Sequence, residues 1–252
     1  MQTNIQAWSS AHRAAMSLFL VTLGKSAFSS VFGFKGGTVL MFFYGLERFS
    51  VDLDFDYLST EGHMSVARDL TAWIGKNFPT WVIKNSTKDN IPTIKIFCDY
   101  GLDRKLKIEI SWPVCPNHYE LRELYGAPLK VMRADCMFAN KLIAVYSRYT
   151  KRERIANRDL YDVEFFARKN ILPSSTVIRC RTARMEIGAM STREYLVFLK
   201  QFLVTEQRSI EPNILDGLGD LIVSSAERQR LQSHLFGDVQ GSLARLIDLS
   251  SE

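Results

Sequence analysis

Asp52, Asp54 and Asp56 alternate with Leu53, Phe55 and Tyr57. A strand rises about 3.3 Å per residue and sends successive side chains to opposite faces, so the acids share one face at steps of roughly 6–7 Å. The apolar residues take the other face. Carboxylates in such a row repel one another and are costly to bury, and a divalent cation is the simplest neutraliser. Upstream, Gly36-Gly37 precede residues 38–44, which begin helically. Two glycines allow a tight turn and close approach by a ligand, and the unpaired N–H groups at a helix start favour an anion, with the Thr38 hydroxyl as a further donor. Downstream, Lys107, Glu109 and Ser111 alternate with Leu106, Ile108 and Ile110, so a second strand offers Glu109 as a third acid. Oxygen ligands suit a hard cation, and the combination points to a Mg²⁺ site for phosphoryl or nucleotidyl transfer. No Gly-Lys-Ser/Thr ending follows the glycines, which excludes a Walker-type loop.

Each feature has a plainer reading. An isolated Asp-x-Asp is usually a solvated strand face, and most Gly-Gly pairs are ordinary turns; their order along this chain, with a third acid on an alternating strand, reverses those odds. Lys35 either adds charge to the turn or points to solvent. Lys141 lies at the margin of an apolar helical stripe, where lysines commonly snorkel to water. Arg158 and Asp162 are four apart, the spacing of an intrahelical pair worth a few tenths of a kcal/mol. Asp159 and Asp162 share one side of the same helix. Arg48, Arg148, Lys151, Arg152 and Arg154 suit either RNA phosphates or a solvated basic surface, and only the former gives steep salt dependence.

The elements that must position these residues follow from periodicity. Residues 5–24 read as a helix with Trp8, Ala11, Ala15, Leu18 and Phe19 on a buried stripe. The carboxylate strand comes next, then an amphipathic helix over 65–78 stopped by Pro79. Residues 80–84, 91–98 and 105–112 read as consecutive antiparallel strands, separated by breaks at Asp89-Asn90 and Gly101-Leu102-Asp103. Pro113 and Pro116 end the sheet in this reading. A linker-like piece over 119–129 leads to a helix over 133–149, then a helix to Lys169 with Asn157 as its cap. Ser191-Thr192-Arg193-Glu194 has capping-box spacing before a helix to about 204, and further helix is expected within 215–223 and 228–236.

The 252 residues, 46% hydrophobic and 23% charged, describe a globular chain rather than a disordered one, long enough for one large or two moderate domains. The net charge of +5 permits a polyanionic partner without requiring one. No apolar run reaches a membrane span and no signal peptide is evident, so a cytoplasmic protein without membrane contact is expected. Cys98, Cys115, Cys136 and Cys180 fit neither a zinc framework nor a dense disulfide scaffold, and reduced, buried thiols are the simplest expectation.

Lys35-Gly36-Gly37-Thr38-x-Leu40, followed by Arg48-x-Ser50-x-Asp52-x-Asp54-Phe55, resembles the first motif of the AbiEii/MenT-type nucleotidyltransferases of the DNA polymerase beta-like superfamily. Lys107-Ile108-Glu109-Ile110 resembles the strand that carries its third carboxylate. Asn140-Lys141-Leu142-x-Ala144 and Arg158-Asp159-Leu160-Tyr161-Asp162 resemble its helix lysine and Arg-Asp-x-x-Asp motifs. The likeness runs over residues 30–170. It implies an α+β fold: a polymerase-beta-like core with a mixed sheet over 1–118, followed by a helical domain over 119–252. It implies Mg²⁺ on Asp52, Asp54 and Glu109, the row Asp54 and Asp56 being the other pairing the spacing allows. It also implies an NTP held by Gly36, Gly37, Thr38, Ser50, Lys141, Arg158 and Asp162, with Asp159 orienting Lys141. The implied activity is that of a toxin that adds a nucleotide to the 3′ end of tRNA or another RNA and is paired with a separate antitoxin protein. Transfer to a protein hydroxyl or an aminoglycoside-like small molecule keeps the same chemistry. A non-catalytic RNA- or partner-binding protein with structural acids is the alternative outside catalysis.

Overall fold

The computed structural model describes residues 2–60, 63–87, 93–102 and 104–250. The expected breaks at Asp89-Asn90 and Asp103, and the start of the strand expected from residue 91, lie outside the described residues. The chain divides into two compact units, residues 1–114 with 119–132, and residues 115–118 with 133–252.

The first unit is a seven-stranded mixed sheet with helices. Along the chain come α1 (Gln2–Gly24), β1 (Phe32–Lys35), α2 (Gly37–Phe43), β2 (Asp52–Tyr57), α3 (His63–Asn77), β3 (Val82–Asn85), β4 (Thr93–Asp99), β5 (Leu106–Ser111), β6 (Tyr119–Leu124) and β7 (Ala127–Met132). Their order across the sheet is β3-β4-β5-β2-β1-β7-β6. The period-2 reading of the acid strand holds: Leu53 and Phe55 are buried, and in β5 Leu106, Ile108 and Ile110 are buried while Lys107, Glu109 and Ser111 are half-buried. Phe34 of β1 stands opposite Phe55, ring centroids 5.1 Å apart. Phe19 of α1 meets both Trp73 of α3 and Phe78 at 5.8 Å. Aromatic pairs add stability beyond the area they bury, and here they fix both helices within the unit.

Two expectations fail. The sheet does not end at Pro113 and Pro116, and residues 119–129 are not a linker. Tyr119–Leu124 and Ala127–Met132 form an antiparallel hairpin, closed at Tyr125 (φ 49°) and Gly126 (φ 74°), and β7 joins β1 in parallel. Two consecutive positive φ values are the demand of the tight hairpin turn whose twist matches that of its strands. The three strands expected as consecutive and antiparallel are so, β3 with β4 and β4 with β5, and β5 also runs parallel to β2, which makes the sheet mixed. No helix among the described residues is long and apolar enough to cross a membrane.

The second unit is helical: α4 (Ala134–Arg152), α5 (Asn157–Arg168), α6 (Ser175–Thr182), α7 (Thr192–Thr205), α8 (Gln207–Ile210) and α9 (Ser225–Leu249). The fold as a whole is α+β, as expected. The capping box forms: Ser191 Oγ accepts from Glu194 N at 3.2 Å and Glu194 Oε2 accepts from Ser191 N at 2.7 Å. Asn157 is not the cap of α5 but its first residue; its Nδ2 donates to the Asn213 carbonyl at 2.6 Å, and Ala156 occupies the cap. The cysteines are not all thiols. Cys115 and Cys180 are disulfide-bonded across 65 residues, tying the segment before β6 to α6, while Cys98 and Cys136 are buried and free, burial alone holding the Cys98 thiol at about 12.

Glu164 of α5 is buried, with Oε1 3.6 Å from Arg168 Nε and Oε2 without a hydrogen-bond partner. Burial raises its pKa above the usual value of 4.5 against the pull of Arg168 and Arg230. The folded protein therefore holds this proton longer than the unfolded chain, and stability falls as pH rises through the raised value. Urea midpoints measured at pH 5 and pH 8 are expected to drop for the wild type more than for Glu164→Gln. Identical drops in the two proteins would show that Glu164 contributes no such dependence.

Candidate active site

Asp52 and Asp54 lie on β2, whose parallel neighbour β5 sets Lys107 beside Asp52 and Glu109 beside Asp54. Neighbouring strands are about 4.8 Å apart, so the four side chains share one patch of the polar sheet face. Lys107 Nζ is 2.9 Å from Asp52 Oδ2 and 3.4 Å from Glu109 Oε2, and Lys95, opposite Glu109 on β4, reaches Glu109 Oε2 at 3.9 Å. Two carboxylates that share one ammonium can be no farther apart than those two contacts allow. Burial raises the Asp54 pKa and the charge of Asp52 adds to it, opposed by Lys107. For Lys107 burial works the other way, but the Asp52 hydrogen bond and the charges of Asp52, Glu109 and Asp54 outweigh it and raise the value, so the ammonium stays charged. The strand alternation put Lys107 on the Glu109 face; what sequence could not supply was its partner.

Asp56 has a different fate. It is buried, and it accepts from Lys35 Nζ at 2.6 Å, Tyr119 OH at 2.5 Å and Ser111 Oγ at 3.4 Å. Tyr119 reaches it across Gly33, where a Cβ would run into the ring. Lys35 therefore neither points to solvent nor guards the glycine turn; it is the counter-ion of Asp56.

The glycine corner is built against the acids. Gly36 has φ +86°, and a Cβ there would also stand 2.6 Å from Asp54 Oδ2, so both backbone conformation and space require glycine. A Cβ on Gly37 would meet an Arg48 guanidinium nitrogen at 2.7 Å and Ser50 Oγ at 2.9 Å. Thr38 is buried, its Oγ1 donating to the Asp52 carbonyl at 2.5 Å with Ser50 Oγ 2.9 Å away, which ties the first turn of α2 to the first acid. Arg48, which the sequence leaves as either an RNA-phosphate contact or part of a solvated basic surface, is neither: it is buried and donates to the Phe49 carbonyl at 3.1 Å. The sequence shows an arginine near a loop; only the fold shows that Gly37 leaves it room underneath.

His12 of α1 is a residue that sequence reasoning missed. Its Nε2 lies 2.8 Å from the Val51 carbonyl and Nδ1 meets the Tyr100 hydroxyl, so both ring nitrogens are committed at the entry to β2. Burial lowers its pKa, and the neutral ring donates from Nε2 and accepts at Nδ1. Its one sequence signal is a histidine in an amphipathic helix, which is too common to find it.

In the helical unit, Lys141 of α4 bonds Asp162 Oδ2 at 2.7 Å and Asp159 Oδ1 at 3.1 Å, and Arg148 Nε lies 3.1 Å from Asp159 Oδ2. Both acids are fully buried. The stripe-margin lysine thus turns inward to carboxylates rather than outward to water, and Arg148 is likewise engaged. Arg158 is half-exposed on α5. Arg154 pairs with Asp216 at 3.2 Å.

Asp52, Asp54 and Glu109 offer only carboxylate oxygen, the donor set of a hard divalent cation. Among the described residues, no group of three or more His, Cys, Asp or Glu side chains is placed to hold a metal ion, and Lys107 contacts two of these acids. The donors fit Mg²⁺ in kind, and the charge they carry is met by lysine in this structure.

Residues 18–234 match the model of the family described as nucleotidyl transferase AbiEii toxin, type IV toxin–antitoxin system. Among solved structures, JHP933 from Helicobacter pylori is similar with a TM-score of 0.61 and 20% identity, covering 96% of this chain and 95% of that one. MenT4, a nucleotidyltransferase toxin from Mycobacterium tuberculosis, is similar with a TM-score of 0.56 and 20% identity, covering 95% and 84%. At that identity they share the fold, a polymerase-beta-like core with a helical C-terminal part. No curated protein matches the chain by sequence.

The four acids of the sheet face separate by stability. Removing one partner of a buried pair leaves a buried charge, so Asp56→Ala is expected to cost about 3–5 kcal/mol in urea unfolding. Asp54→Ala relieves repulsion and should leave stability unchanged or raised. Equal losses in the two variants would contradict the division between a structural and a functional acid.

Proposed function

The chain belongs to the nucleotidyl transferase AbiEii toxin family, and from that premise we propose that it is the Mg²⁺-dependent toxin of a bacterial toxin–antitoxin pair, acting in the cytoplasm. It transfers a nucleoside monophosphate from an NTP to the 3′ end of tRNA or another RNA, and a separate antitoxin protein restrains it. The observation that carries this reading is the register of two parallel strands: Glu109 stands beside Asp54, and Gly36 is backed against the same Asp54 carboxylate.

In this mechanism the acceptor oxygen attacks the α-phosphorus, the bond from that phosphorus to the bridging oxygen breaks, and pyrophosphate leaves. Bound Mg²⁺ supplies neutralisation of the phosphates and eases ionisation of the acceptor hydroxyl. Asp52, Asp54 and Glu109 would hold it through oxygen, and Glu109 would favour loss of the acceptor proton. Gly36 and Gly37 offer backbone N–H groups to the β- and γ-phosphates. Thr38 keeps that corner in place through the Asp52 carbonyl and Ser50 Oγ. Lys141 is the triphosphate lysine, oriented by Asp159 and Asp162, with Arg158 as a further phosphate donor.

A second acceptor class has an observation in its favour. Arg48, Arg148 and Arg154 are all occupied by partners within the protein, which thins the set of cations for an RNA backbone to residues such as Lys151 and Arg152. A protein hydroxyl or an aminoglycoside-like molecule needs fewer.

Each labelled NTP is incubated with Mg²⁺, total RNA and total protein, beside Asp54→Ala and Lys141→Ala. Label in RNA, reduced on the order of a hundredfold or more in Asp54→Ala, is the expected outcome. Label in protein or small molecules supports the second acceptor class. Label nowhere, with RNA retained equally by all three proteins, overturns the enzymatic reading in favour of a binding protein.

A further inference from the structure

We infer that Lys107 is a built-in counter-ion that a divalent cation must displace: with no metal bound, its ammonium holds Asp52 and Glu109 together, and metal binding expels it. The inference rests on the reading of Asp52, Asp54 and Glu109 as the metal site and deepens it.

Lys107 is not a bystander on the rim. Its Nζ lies within 2.9 Å of one acid and 3.4 Å of another, two of the three that would hold the metal. Mg²⁺ binds carboxylate oxygen at about 2.0–2.1 Å, so an ammonium already in contact with both oxygens occupies the ground the ion needs, and the two like charges repel. The other acids of this face show what a permanent arrangement looks like. Asp56 is buried and satisfied by three donors at once, a set with no room for exchange. Lys107 is half-buried with its acids about equally exposed, 27% for Lys107, 27% for Asp52 and 31% for Glu109, which leaves a way in for an ion and a way out for the side chain.

The residue type also fits displacement. A lysine is a compact point charge on a flexible four-carbon stem and can leave by rotating, whereas the arginine fork grips a carboxylate bidentately. Lys95, at 3.9 Å from Glu109 and more exposed, stands on β4, with β5 between it and the strand of Asp52. The consequence is that two of the three acids are held together before the metal arrives, at the cost of weaker binding by the metal alone.

The test measures Mn²⁺ bound to metal-free full-length protein, from loss of the electron paramagnetic signal of the free ion, with no nucleotide present. Lys107→Met is expected to bind Mn²⁺ roughly tenfold more tightly than the wild type, the scale of losing two half-exposed ion pairs. Lys107→Arg, which keeps the charge, is expected to bind no more tightly than the wild type. As a second readout, the metal-free thermal midpoint of Lys107→Met should lie below that of the wild type and rise further on adding Mn²⁺. Equal affinities in the wild type and Lys107→Met, with binding abolished by Asp54→Asn, overturn the counter-ion and leave the metal site standing. Absence of binding in every folded variant overturns the metal site itself, and the inference with it.

Discussion

Mutual repulsion of carboxylates on a single strand face is the constraint around which the polar side of the sheet is arranged. Asp52, Asp54 and Asp56 cannot be spread apart, because the strand period fixes them in a row, nor can the opposite face accept them, because Leu53 and Phe55 are needed in the core. Positive charge must come to them. Lys35 arrives from the antiparallel neighbour β1 and Lys107 from the parallel neighbour β5, one on each side of β2. The strand order that places β2 between β1 and β5 is thus an electrostatic solution as much as a packing one.

The two lysines solve it differently. Lys35 meets an acid that is also held by Tyr119 and Ser111 and shut away from water, so the pair behaves as part of the core. A group satisfied this fully is expensive to disturb. Lys107 meets acids that remain half exposed, where an ion pair is worth little and exchanges easily. One strand therefore carries both a fixed and an exchangeable acid, set apart by depth along the sheet. The helical unit repeats the fixed solution with Lys141 between Asp159 and Asp162, both fully buried.

Legibility in the sequence tracked the range of the interaction. Alternation along β2 and β5 was readable because it is set by a two-residue period, and it correctly put Glu109 and Lys107 on one face. The capping box at Ser191 was readable because all its parts lie within four residues. Gly36 was marked by its place before the acids, although its reason, the Asp54 oxygen behind it, needed the fold. The hairpin over 119–132 is hidden by Pro113 and Pro116, which signal the end of a sheet but follow only the end of β5. Leu121 is exposed on β6, so the strand has no apolar alternation to mark it, and only the Tyr125-Gly126 turn is a local signal.

Pairings between distant segments had no local signal. Cys115 and Cys180 stand 65 residues apart with no spacing pattern to join them, so nothing local marks the bond between them. The basic residues erred in the same way and for a physical reason. A charge count assigns arginines to the surface by default, yet Arg48 lies buried beneath Gly37 and Arg148 leans on a buried aspartate. Burying an arginine is tolerable only where acceptors are already in place. Arg148 is drawn in by Asp159 and Arg48 by a backbone carbonyl, so fewer arginines are left for a partner than the charge count implies. Net charge alone overstates the affinity of such a chain for nucleic acid, and the cations that remain exposed are the ones from which an acceptor surface has to be argued.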